Sequence, residues 1–92
     1  MKSCYALIGW SLPVIESMQN SGLDYVVVSL PDFQTYAEKH NIPFLPYQLG
    51  DWGDHVNSLD LYEKLSAFGA TVAVPLYEET VEWAGALNSL YR

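Results

Sequence analysis

Residues 24–30 read Asp24-Tyr25-Val26-Val27-Val28-Ser29-Leu30. Three consecutive valines are stiff at χ1 and favour extended backbone. The run shows no polar alternation, which suits a strand buried on both faces of a parallel sheet. Upstream, residues 4–10 (CYALIGW) form a second apolar run, interrupted by Gly9. Between the two, Ser11 can cap a helix that tolerates Pro13 in its first turn and lines up Val14, Ile15 and Met18 on one face. Ser21-Gly22 stops it.

Downstream, Pro31-Asp32 opens a second helix with Asp32 as its expected cap. Phe33, Tyr36, Ala37 and His40 follow the spacing of one buried stripe, and Asn41 ends the helix. Residues 42–49 predict a third strand. Pro43 and Pro46 make it short or place it at an edge, because proline donates no ladder hydrogen bond. Residues 50–55 (GDWGDH) read as a loop. Asn57 or Ser58 then caps a third helix, expected to bury Leu61, Leu65 and Phe68 and to end at Gly69. Residues 70–76 (ATVAVPL) predict a fourth strand, and residues 78–92 a fourth helix with Glu78, Glu79 and Glu82 in its first turn. Strands thus alternate with helices throughout. The expected fold is α/β: one domain over residues 1–92, a small open parallel sheet of about four strands with helices on both faces.

The chain has 92 residues, of which half are apolar and 14% aromatic, so it is no disordered tail. A chain this short buries roughly 60–65% of its unfolded surface, enough for one modest core. Eleven acids against four bases give a net charge of −7. No basic patch can be assembled from that, which argues against nucleic acid or an anionic membrane as partner. The single cysteine, Cys4, excludes an internal disulfide and a thiolate zinc site. No apolar run approaches the roughly 20 residues of a membrane span, and the start lacks a signal-peptide pattern, so a cytoplasmic protein is expected.

In open parallel sheets, ligands bind beyond the carboxyl ends of the strands, near the point where strand order reverses. Three segments are expected there: residues 9–12, 29–32 and 75–79. Gly9 could let backbone approach a ligand, and Ser11 offers a hydroxyl at a helix start; both also suit a plain strand-to-helix turn. Neither a full G-x-G-x-x-G nor a P-loop lysine accompanies them. Glu78 could hold an amine or hydroxyl at the rim, or simply complement a helix dipole. Asp51, Asp54 and His55 are too few for a defined metal site and read as loop. His40 reads as the polar edge of a helix stripe. Cys4 reads as a small core residue. Trp10, Trp52 and Trp83 could stack a flat ligand, although Trp83 on the last helix better suits core or interface. No catalytic triad is legible.

Two segments carry a family resemblance. Ala6-Leu7-Ile8-Gly9-Trp10-Ser11-Leu12-Pro13-Val14-Ile15 resembles the strand, Gly-x-Ser turn and first helix of the N-terminal, Rossmann-like domain of ATP-grasp ligases. Residues 70–84 (ATVAVPLYEETVEWA) are similar to that domain's strand, proline, glutamate and following helix. The resemblance implies the substrate-side domain of a ligase that joins a small carboxylate to an amine through an acylphosphate. Glu78 would be the substrate-binding residue carried over, followed by Gly9 and Ser11. Tyr77 stands where the family often has a smaller residue, which leaves the pocket's shape open. ATP and magnesium would be bound by later, C-terminal ATP-grasp domains, with no cofactor and no catalytic residue in this chain. Termination of the last helix at Arg92 without a stop signal suggests a fragment of such a protein, and a homo-oligomer is possible. The alternative is a stand-alone α/β module that binds a small ligand or protein at the strand ends. A response-regulator receiver fits less well, because the first strand ends in Gly-Trp-Ser rather than in clustered acids.

Overall fold

The computed structural model describes residues 3–47 and 58–92. Four strands, β1 (Cys4–Ile8), β2 (Asp24–Ser29), β3 (Phe44–Pro46) and β4 (Val72–Pro75), alternate with helices α1 (Leu12–Ser21), α2 (Gln34–Lys39), α3 (Ser58–Ala67) and α4 (Val81–Tyr91). All pairings are parallel, in the order β3-β2-β1-β4. The expected α/β class and open parallel sheet are thus present.

Handedness explains the layering. From β1 to β3 the chain steps outward along the sheet, and right-handed crossovers keep α1 and α2 on one face. Reaching β4 on the far side of β1 reverses the direction, so the same handedness carries α3 to the other face. The core follows the strand alternation. Ala6, Ile8, Val26 and Val28 pack with Leu61, Leu65, Trp83, Ala84 and Leu87 on the α3/α4 face. Leu7 and Val27 pack with Ile15, Ala37 and Ile42 on the α1/α2 face. The three valines are fully buried, as a strand covered on both sides requires.

The three helices that lead into strands end alike. The amides of Leu23, Ile42 and Ala70 each bond the carbonyl five residues back, on Met18, Ala37 and Leu65. Gly22, Asn41 and Gly69 stand one residue earlier in the left-handed conformation, at φ 66°, 55° and 83°. Asn41 is the one non-glycine with positive φ among the described residues.

Several local expectations need correction. The second helix does not start at Asp32: Pro31–Phe33 form a single 3₁₀ turn with Leu30 at its N-cap, and no side chain caps it. The α-helix that follows is short and buries only Ala37; Tyr36 and His40 are exposed and Phe33 is half-buried. Glu78–Thr80 form a similar 3₁₀ turn ahead of α4. Ser11 is the N-cap of α1, but through its carbonyl alone, which accepts from the Ile15 amide at 3.0 Å; its hydroxyl makes no capping bond. Phe68 lies past the end of α3 and is 49% exposed, so α3 anchors through Leu61 and Leu65. Trp83 is core, with its ring edge-on to Tyr47. The expected loop at residues 50–55, with Asp51, Trp52, Asp54 and His55, and the alternative cap Asn57 lie outside the described residues.

Both sheet edges carry residues that hinder a further strand. On β4, the Asn88 side chain accepts from the Ala73 amide at 2.8 Å and donates to the Ala73 carbonyl at 3.1 Å. The Asn88 amide therefore occupies the place of a neighbouring strand. Two residues on, the next outward-facing position is Pro75, which has no N–H. On β3, Pro43 accepts from Val27 and Tyr47 donates to Ser29, so alternation turns Pro46 outward, again without a donor.

Candidate functional site

Strand order reverses between β1 and β4. Just beyond their carboxyl ends lies a cleft of about 410 Å³. Gly9 and Trp10 after β1 form one wall, and Tyr77, Glu79 and Thr80 after β4 form the opposite one. Ser29, Leu30 and Phe33, from the end of β2 and the turn after it, close the third side. Six of these residues come from the three segments expected at strand ends, Phe33 and Thr80 each stand one residue beyond them, and the cleft sits where doubly wound sheets place their ligands.

Gly9 is held at φ 117°, and its amide donates to the Val28 carbonyl at 2.8 Å. A side chain here would be strained by the backbone alone. It would also collide with the protein itself: a Cβ would lie 2.9 and 3.0 Å from Cδ2 and Cε2 of the Tyr77 ring and 3.3 Å from Cβ of Leu76. The close approach that glycine permits is thus taken up by Tyr77. The ring lies against Gly9, and 47% of the residue remains exposed.

Thr80 sets the geometry of the β4 wall. It is fully buried, and its hydroxyl donates to the Tyr77 carbonyl at 2.7 Å while accepting from the Tyr77 amide at 3.2 Å. The Thr80 amide bonds the same carbonyl at 3.0 Å. Tyr77 is thereby fixed as an extended residue at the start of the turn, and Glu79 comes to the cleft.

Of the three expected binding residues, Gly9 lines the cleft. Ser11 and Glu78 sit on the same rim, next to lining residues in sequence, but are not part of the lining. Glu79 lies in an expected strand-end segment but not among the expected binding residues, Phe33 is expected only as part of a helix stripe, and Thr80 is expected in neither. A helical turn rotates each residue about a third to a quarter of a circle, so which of two adjacent glutamates faces inward depends on where the turn starts.

Trp10 belongs to an aromatic cluster. Its ring stacks on Phe33 at 4.7 Å and 9°, with Tyr36 and Phe44 edge-on at 5.5 and 6.2 Å. This holds the indole in place at the rim. His40 lies farther out, its ring 4.2 Å from that of Tyr36.

The remaining reactive groups lie elsewhere. Burial, and secondarily Asp24, pushes the Cys4 thiol up, so it is protonated near neutrality and a poor nucleophile. Burial also raises the Tyr47 phenol; Asp60 adds to this and Lys64, 5.2 Å over its ring, opposes it. Tyr91 is pushed up to about 12 by burial first, then by Tyr62 and Cys4. No group of acidic, histidine or cysteine side chains among the described residues could hold a metal ion. No helix among them is long and apolar enough to cross a membrane. Comparison with protein-family models, curated proteins and solved structures finds no match to this chain.

Proposed function

We propose that the chain is the substrate-side, N-terminal domain of an ATP-grasp carboxylate–amine ligase in the cytoplasm, forming one wall of the substrate site without carrying the chemistry itself. One observation carries this reading. The two segments that resemble the family are separated by about sixty residues in the chain, yet Gly9 and the Tyr77–Thr80 turn face each other across the strand-order reversal. The described residues of the cleft lining include no lysine, arginine or histidine, a poor fit to a triphosphate, and no phosphoryl step is assigned to this chain. ATP and magnesium would belong to further domains. The part left to these residues is to bind and orient a small substrate.

The second reading, a stand-alone binding module, draws on the sheet edges: Asn88 and the prolines hinder further strands.

Intact mass of the polypeptide from its native host, combined with phosphate release from Mg-ATP in the presence of carboxylate and amine, separates the two. The ligase reading expects a mass well above 10.3 kDa and amine-dependent turnover that Glu78→Gln or Glu79→Gln impairs. A mass of 10.3 kDa overturns it and leaves the binding module.

A further inference from the structure

We infer that the cleft takes the amine partner: a protonated amine on a flat, apolar body. This rests on the substrate-side reading above and names which of the two substrates this domain receives. Trp10, Leu30, Phe33 and Tyr77 give the cleft apolar and aromatic walls, and Glu79 is the one carboxylate among its described lining residues. Aromatic faces attract cations, and a carboxylate at an apolar wall makes a charge-assisted hydrogen bond with an ammonium. A substrate carboxylate would instead meet Glu79 with no cation among the described lining residues to compensate it.

The bases of the described residues are placed elsewhere. Lys64 pairs with Asp60 at 3.1 Å and lies over the Tyr47 ring. Lys39 ends α2 and Arg92 follows α4. Helices that return between parallel strands run opposite to them, so both residues lie at the far end of the sheet from the cleft. Helix N-termini at the cleft side could favour an anion, but proline or acidic residues stand at the starts beside it, Pro31 and Asp32 among them in the turn after β2. Pro13 removes a free amide from the first turn of α1. Glu78, Glu79 and Glu82 occupy the start of the β4-side turn and α4. Three full negative charges outweigh a helix terminus worth about +0.5 charge. The net charge of −7 further concentrates cations near the surface.

The test titrates the folded chain with 2-phenylethylammonium and with 3-phenylpropionate, following the amide NMR signals of Gly9, Trp10 and Thr80. The ammonium probe is expected to shift these signals with a dissociation constant of about 1 mM, and the carboxylate probe to bind at least about tenfold more weakly. Glu79→Gln should weaken the ammonium probe about tenfold. Glu63→Gln, the same charge change on exposed α3, should leave it unchanged, which separates the cleft carboxylate from the general field. Equal or tighter carboxylate binding at the same amides, or an unchanged constant in Glu79→Gln, overturns the amine assignment and leaves the cleft as a substrate site. Absence of shifts with both probes at about 10 mM overturns both.

Discussion

Gly9 is constrained twice, by a backbone angle of 117° and by the Tyr77 ring over its α-carbon. The two constraints can be separated. Gly9→Ala should cost about 2–3 kcal/mol, combining left-handed strain with a forced shift of the ring. Tyr77 is half exposed, so Tyr77→Ala alone should cost about 1 kcal/mol or less. In the double variant about 1 kcal/mol of the alanine loss should return, and the backbone share should stay. Urea denaturation of the four proteins checks this; purely additive losses would show that the ring is not the obstacle. From sequence, Gly9 is recognisable as a turn glycine after an apolar strand. That its partner is Tyr77, 68 positions away, depends on β4 pairing with β1. The choice of Glu79 over Glu78 is hidden for a related reason, since the buried Thr80 hydroxyl decides where the turn begins.

Elements were legible where a local device defines them. The valine run, the left-handed helix ends and the prolines of β3 act through backbone preferences of single residues. The second helix was misread because Phe33, Tyr36 and His40 follow helical spacing without being buried as a stripe. They form an aromatic group around Trp10 at the rim instead. Asn88 gave no signal, since an asparagine within a helix reads as a solvated residue. Its function comes from lying against Ala73, on the open side of β4. Asn88→Ala should lower stability by about 1–2 kcal/mol, because two edge groups lose a part-buried partner. It should also promote self-association through the uncovered edge. Denaturation and sedimentation velocity at increasing concentration test both. Unchanged stability with a strictly monomeric variant would mean that water replaces the side chain without loss.

At the scale of the molecule, Tyr91 ties α4 to its layer partner α3, its ring 5.2 Å from that of Tyr62, and packs with Cys4 of β1 against the core of that face. That hydroxyl is buried and has no hydrogen-bond partner among the described residues. Folding therefore favours the neutral phenol, and its pKa rises from 10.0 to about 12. The corresponding stability is fully present below pH 10.0 and lost as pH climbs toward about 12, because the unfolded chain releases the proton first. Discounted for the partial exposure of the residue, the loss is about 1 kcal/mol. Tyr91→Phe should abolish it, and at neutral pH should leave stability unchanged or raise it by up to about 1 kcal/mol, since the orphan hydroxyl is gone. Denaturation of both proteins between neutral and strongly alkaline pH reads out the difference; a parallel decline would place the alkaline sensitivity elsewhere. What the sequence by itself determined was the α/β class, the alternation of elements and the three segments at strand ends, because apolar period, proline and helix stops act within a few residues. Only the folded structure decided the strand order and the meeting of Gly9 with Tyr77 that follows from it, the inward turn of Glu79, and the contact of Asn88 with β4. That meeting joins residues 68 positions apart, which come together only once the crossover from β3 has set β4 beside β1, whereas the other two arise within β4 and the helix after it, from the Thr80 hydroxyl and from α4 lying back along the strand.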